Sequence, residues 1–330
     1  MAKPKILFVI GKWSNFDPRQ GASNARHNYV ESLRATGLAE IDCFYVDEHL
    51  MRHGTPYDEA LIRHCRANPP DVLYVSLTRG VDFHGAPETF QAIGQAHATK
   101  LVAVFNDCYA AADAARCAEY APVLDLVLLG DSYTAVLGQV AGLAGADKYL
   151  PVWTPQDPAH FYPADQPPGL DISFLGSVAR YPERKLGVGL LGAGFDNFIH
   201  RGGQAEDPLS QEDYGNILRA SKITVNFSRP VFDEEGFQCK GRVIEALSCG
   251  TLLLEQKNPE TERWLIPGRD YADFADEREM IDKAKYYLAH EEERASIADA
   301  GHQKVRRLYS GAAYWRLILD ALQVKPGGAS

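Results

Sequence analysis

The sequence predicts an α/β protein built from two doubly wound parallel sheets. Three features carry that expectation: short apolar runs recur, helix-like stretches separate them, and a proline-dense segment interrupts the series midway. A strand covered by helices on both faces is apolar along its length rather than at every second residue. Ile6–Ile10, Cys43–Val46, Val72–Leu77, Leu101–Phe105 and Leu126–Leu129 have that character. Between them, Ala25–Thr36, Pro87–His97 and Ala110–Tyr120 read as helices.

A second series runs from Ile172–Leu175 through Ile223–Phe227 to Thr251–Leu254. Between the two series, Leu150–Gly169 carries prolines at 151, 155, 158, 163, 167 and 168, a composition that suits a linker. The domains expected are therefore 1–165 and 166–310. Beyond the second series the pattern is helical, over Asp276–His290 and Glu291–Tyr309. A last amphipathic stretch, Ala312–Leu322, carries Tyr314, Trp315, Ile318 and Leu319 on one stripe. In doubly wound sheets, ligands sit beyond the carboxyl ends of the strands, and two such domains are expected to leave a cleft.

Composition narrows the partners. Lys plus Arg number 34 against 44 Asp plus Glu, a net charge of −10. Such a chain lacks the broad positive field of a nucleic-acid binder, though a local basic pocket remains compatible with it. No apolar run approaches the ~18 residues of a spanning helix, and no secretory leader is read at the start, so the cytoplasm is the expected compartment. Whether the protein docks on a membrane is left open. The six cysteines (Cys43, Cys65, Cys108, Cys117, Cys239, Cys249) have no metal-knuckle spacing and read as reduced core residues. His49 and His53, four apart and flanked by Glu48 and Arg52, read as a solvated helix face ahead of a zinc site. No two aspartates are separated by a single residue, which argues against an Asp-x-Asp metal clamp.

The chemistry concentrates in Asn226-Phe227-Ser228-Arg229 and in the stretch from Phe237 to Gly250. A helix starting near Lys240 and ending at Gly250 places Lys240 and Arg242 in its first turn, where the macrodipole disfavours cations. An anion held between those cations and the helix's first N–H groups would resolve the conflict, and a phosphate or pyrophosphate fits. The alternative is a solvated basic turn answered by Asp233, Glu234 or Glu235. Glu245, three residues after Arg242, reads alone as an i,i+3 ion pair.

The segment Lys240 to Glu255 resembles the donor site of GT-B glycosyltransferases, most closely the spore-maturation-type branch related to the large family-4 group. The resemblance extends through Pro267-Gly268-Arg269-Asp270-Tyr271 and Tyr286-Tyr287-Leu288, and back through Ile172 to Ser177 and the linker Leu150 to Pro158. It covers residues 150 to 310. It implies a GT-B fold, with two Rossmann-like domains facing across a cleft and a final helix, 311–330, crossing back to the first domain. It further implies a nucleoside-diphosphate-sugar donor as co-substrate; no other cofactor is expected and, with no Asp-x-Asp clamp, no metal.

In the family-4 pattern a glutamate at Glu245 holds the ribose and nearby basic residues hold the pyrophosphate, roles that fall on Arg229, Lys240 and Arg242. Gly176 and Ser177 match the loop approaching the phosphates, with Arg180 and Arg184 close by. The family-4 motif carries a first glutamate eight positions before the second, and that position here is Phe237. Asp107 and His27 are the candidate bases on the acceptor side, and Asp82 and His84 follow the preceding strand. The function expected is sugar transfer to an unidentified acceptor. An epimerase or hydrolase on the same fold, or a non-catalytic nucleotide-sugar-binding protein, are the alternatives.

Overall fold

The computed structural model describes residues 2–78, 85–106, 111–130, 146–202, 209–230 and 236–325. The chain divides into two compact units, Met1–Asp157 with Gly311–Ser330, and Pro158–Ser310.

In the first unit, strands β1 (Lys5–Ile10), β2 (Glu40–Tyr45), β3 (Val72–Thr78), β4 (Lys100–Asn106), β5 (Leu126–Leu129) and β6 (Tyr149–Pro151) form one parallel sheet in the order β2-β1-β3-β4-β5-β6. Helices α1 (Ser32–Thr36), α2 (Val46–His53), α3 (Asp58–Ala67), α4 (Pro87–His97) and α5 (Ala111–Tyr120) make the crossovers. Ile6, Leu7 and Phe8 of β1 and Leu73 and Tyr74 of β3 are fully buried, as central strands covered on both faces must be.

Three local readings change. The proline-dense segment does not begin as a linker: Tyr149–Pro151 pairs with β5 as the edge strand, the position where a proline without an N–H is tolerated. Ala25–Thr36 is not one regular helix, because a wide π turn, Arg26–Glu31, leads into α1. The His49 face is solvated only in part: Arg52 and His53 are exposed, while Glu48 and His49 are half-buried. The His49 ring packs 5.9 Å from Phe44 and 4.8 Å from His53, with its Nε2 buried, while Glu48 pairs with Lys12 at 2.6 Å.

Helix α12 (Gly311–Ala321) completes this unit. Its Tyr314, Trp315, Ile318 and Leu319 are fully buried. The Tyr314 hydroxyl lies 2.7 Å from that of Tyr74, and Trp315 Nε1 donates to Ser32 Oγ at 3.0 Å.

The second unit holds β7 (Leu170–Leu175), β8 (Phe198–Arg201), β9 (Ser221–Asn226), β10 (Leu252–Gln256) and β11 (Ala272–Phe274), parallel in the order β11-β10-β9-β7-β8. Its helices are α6 (Pro182–Gly194), α7 (Gln211–Ala220), α8 (Gly241–Ser248), α9 (Pro259–Glu262), α10 (Glu277–Ala289) and α11 (Glu291–Leu308). Both sheets place their first strand between their second and third. The winding therefore reverses beside β1 in one and beside β7 in the other, which opens a crevice at the strands' carboxyl ends. Cys43, Cys65, Cys117, Cys239 and Cys249 are free thiols; Cys108 lies outside the described residues. Among the described residues no helix is long and apolar enough to cross a membrane.

Candidate functional site

The switch point of the second sheet lies between β7 and β9, and most of the donor-side candidates gather at its carboxyl end. Gly176 and Ser177 follow β7, Phe227 to Arg229 follow β9, and α8 starts nearby. Gly176 has φ +147°, and a Cβ there would stand 2.6 Å from Arg242 Nη2. Only glycine lets the β7 loop and Arg242 approach this closely.

Lys240 is the N-cap of α8, in extended backbone, and Gly250 closes the helix in the left-handed region at φ +72°. Burying Val243, Ile244, Ala246 and Leu247 turns the opposite face of α8, with Arg242 and Glu245, toward partly open space. Lys240 Nζ donates to the carbonyls of Phe227 at 2.8 Å and Arg229 at 2.6 Å. Arg242 donates to the Leu175 carbonyl, to Asn226 Oδ1 at 2.7 Å and, through Nε, to the Tyr214 hydroxyl at 3.2 Å. These bonds make Arg242 the strut between β7, β9 and α7.

The ion pair expected between Arg242 and Glu245 does not form. The Tyr214 hydroxyl stands between them, hydrogen-bonded to both. Burial pushes the Glu245 carboxyl above its ordinary value, with Tyr214 and Arg242 pulling the other way.

Arg184, in the first turn of α6, is 5% exposed and has no carboxylate partner among the described residues. Its guanidinium stacks 3.3 Å from the Tyr181 ring centroid and donates to the carbonyls of Ser177 at 3.3 Å and Arg229 at 3.4 Å. Its Nε is buried without an acceptor. Burial lowers its pKa to about 10, the mark of a desolvated cation whose charge is incompletely answered. A cavity of about 400 Å³ opens here, lined by Arg180, Tyr181, Arg184, Phe227 and Arg229 among others. Arg180 itself is exposed. Where the family-4 pattern has its first glutamate, the Phe237 ring lies 4.0 Å from the Arg229 guanidinium and holds that cation by its face.

Behind this surface, Glu255 is fully buried at the end of β10. Its Oε1 accepts from Asn258 Nδ2 at 2.9 Å, Thr261 Oγ1 at 3.1 Å and Asn226 Nδ2 at 3.3 Å, while its Oε2 has no partner. Burial pushes its carboxyl up to about 7 against those bonds and the nearby Lys240. Asn226 thus links Glu255 to Arg242, and Tyr214 links Arg242 to Glu245, in one hydrogen-bonded chain.

The structure therefore brings Gly176, Ser177, Arg229, Lys240, Arg242 and Glu245 to one end of one sheet, with Arg180 at the edge. His27 belongs to the first unit, half-buried in the π turn, its N–H bonded to the Ser23 carbonyl at 3.2 Å. Asp107, Asp82, His84, Asp233, Glu234 and Glu235 lie outside the described residues. Sequence reasoning misses Tyr214 and Tyr181, and it gives no role to Asn226 or Glu255, although both lie in the stretches it singles out. A carboxylate ending the apolar run Leu252 to Leu254 is the signal that could have singled out Glu255; Tyr214 carries none, since the fold alone brings α7 beside α8.

Residues 160–320 match the family model described as glycosyl transferase-like. No curated protein sequence matches the chain significantly. Among solved structures, HepE of Anabaena in complex with UDP and glucose superposes with a TM-score of 0.65 at 11% identity, covering 97% of this chain and 99% of that one. A glycosyltransferase from Rickettsia africae gives 0.62 at 12% identity, over 98% and 99% of the two chains. Sucrose-phosphate synthase from Thermosynechococcus elongatus gives 0.59 at 12% identity, over 97% and 99%.

Proposed function

We propose that the chain, whose residues 160–320 match a glycosyl transferase-like family model and whose fold is that of GT-B glycosyltransferases, is itself a GT-B-like glycosyltransferase, and that its second unit holds a nucleoside-diphosphate sugar whose glycosyl group passes to an acceptor hydroxyl. Arg184 is the observation that carries this reading. A buried guanidinium held by two carbonyls and Tyr181, with no carboxylate partner among the described residues, beside Arg229 and a cavity of about 400 Å³, is a site built to receive an anion. The first N–H groups of α8 add donors to the same end of the sheet.

The diphosphate lies against Gly176, Ser177, Arg184, Arg229 and Lys240, with Arg180 at the rim. Arg242 braces that cradle and Glu245 holds the ribose. As the glycosidic bond breaks, negative charge grows on the β-phosphate oxygen, and Lys240, Arg229 and Arg184 stabilise it in place of a metal ion. An inverting course needs a base on the acceptor hydroxyl, for which Asp107 and His27 of the first unit are the candidates. In a retaining course the departing phosphate takes that proton. The run Lys240 to Glu255 supports placing the chain near the spore-maturation-type branch, and the UDP and glucose bound by HepE support placing UDP first among donors to be tried.

A thermal-shift panel of UDP, GDP, dTDP, ADP and CMP tests the site: one diphosphate at about 100 times its dissociation constant adds roughly 2.7 kcal/mol of stability. No stabilisation by any of them sinks the proposal. Transfer that persists in EDTA supports charge stabilisation by the protein's own cations; strict dependence on added Mg²⁺ or Mn²⁺ overturns it.

A further inference from the structure

A second basic region lies away from the donor residues, where the last turns of α11 meet the loop from Trp264 to Asp270. The Tyr309 hydroxyl donates to the Trp264 carbonyl at 3.0 Å, and the two rings meet edge to face at 5.6 Å. Buried Asp270 accepts from Lys304 Nζ at 2.6 Å and from the Ile266 N–H at 2.8 Å, and pairs with Arg269 at 3.0 Å. These bonds fix Ile266 and Arg269 beside Lys304.

Two features of the resulting surface are unspent. Arg306 and Arg307 are exposed, and no carboxylate pairs with either among the described residues. Ile266 is 46% exposed and Leu308 is 42% exposed, two aliphatic side chains standing in water beside these cations. A favourable interaction with the helix dipole explains arginines in the last turn of α11. It does not explain the exposed Ile266 and Leu308. A concavity of about 530 Å³ in the same region is lined by Arg269, Lys304, Arg306 and Arg307, with Asp270 as its one carboxylate. In a chain of net charge −10, this is a local excess of positive charge joined to apolar side chains.

We propose that the surface made by Ile266, Arg269, Arg306, Arg307 and Leu308 docks the protein on an anionic lipid bilayer. The arginines meet lipid phosphates and the two aliphatic side chains enter the headgroup boundary. A soluble acidic partner would use the cations but leave the aliphatic pair without purpose, so charge and apolarity together favour the bilayer. None of these residues belongs to the proposed donor site, so docking and donor binding are separable.

Co-sedimentation of the full chain with two kinds of vesicle tests this. The protein should bind phosphatidylcholine–phosphatidylglycerol vesicles at low salt and leave pure phosphatidylcholine vesicles unbound. Arg306→Gln with Arg307→Gln should weaken the partition roughly thirtyfold, while thermal stabilisation by a nucleoside diphosphate stays unchanged. Ile266→Ser with Leu308→Ser should weaken it further at high salt, where screening leaves the apolar part dominant. This second pair carries the test if the arginine pair fails to fold. No binding of the unaltered chain to the anionic vesicles overturns the proposal, as does binding that neither double variant reduces. Binding abolished by inorganic phosphate and indifferent to Ile266→Ser with Leu308→Ser would make this a soluble-anion site instead.

Discussion

Replacing Glu255 by glutamine should abolish a loss of stability that the unaltered protein suffers as pH rises toward neutrality. Glu255 is fully buried, and its carboxyl is pushed from 4.5 to about 7. Below pH 4.5 the group is neutral in both folded and unfolded chains and costs nothing. Between pH 4.5 and 7 the unfolded chain ionises while the folded one stays protonated, so folding is opposed by ~1.4 kcal/mol for each pH unit. Above 7 the penalty is complete, at about 3 kcal/mol. Glutamine keeps an acceptor for Asn226, Asn258 and Thr261 and cannot ionise. Urea unfolding of both proteins from pH 4.5 to 8 measures the difference directly, because every other titrating group is common to the two. The curves should converge in acid and separate by about 3 kcal/mol in favour of Glu255→Gln by pH 8. Curves that run parallel across the range would refute the buried, raised carboxyl, and with it the hydrogen-bonded chain from Glu255 to Arg242.

Arg184→Gln should weaken nucleoside-diphosphate binding by about tenfold or more, read by calorimetry, since a buried charged donor to the ligand is worth roughly 1.5–3 kcal/mol; unchanged affinity would move the anion elsewhere. Gly176→Ala forces a side chain into left-handed backbone and onto Arg242, so donor affinity and melting temperature should both fall. Lys240→Ala should cut kcat by roughly 10²-fold with the fold intact, as for the loss of an oxyanion donor. Truncation after Gly311 removes buried Tyr314, Trp315, Ile318 and Leu319 and should raise hydrogen exchange at amides of β1 and β3, whereas loosening confined to 169–309 would contradict the packing described.

How much of this is legible in the sequence follows from how local each signal is. The long central strands are legible because burial on both faces makes them continuously apolar, as Leu101–Phe105 of β4 shows. The short strands β6, β8 and β11, at the edges, are not. Leu150 and Pro151 read as linker because the prolines that follow outweigh three residues of pairing, and Phe198–Arg201 ends in His200 and Arg201, without an unbroken apolar run. At the site, a helix start bearing Lys240 and Arg242 is visible as an electrostatic conflict before any coordinates. Its resolution is not, because Tyr214 and Asn226 reach Arg242 from other elements, 28 and 16 residues away in sequence. The sequence leaves Phe237 as a missing glutamate, and the structure gives it a use as the platform beneath Arg229.

The division of the chain also bears on how it is made. Residues 158–310 form a unit contiguous in sequence, whereas the first unit is specified at both ends, Met1–Asp157 and Gly311–Ser330. At about 5–20 residues per second, a ribosome needs roughly ten to thirty seconds to travel from Asp157 to the residues that close the first core. During that interval the faces of Phe8, Tyr29 and Tyr74 that meet Tyr314 and Trp315 have no partner. The domain that begins second can finish first, and the domain that begins first is held incomplete until the last helix leaves the exit tunnel. A nascent chain arrested before Tyr314 is therefore the species most in need of a chaperone.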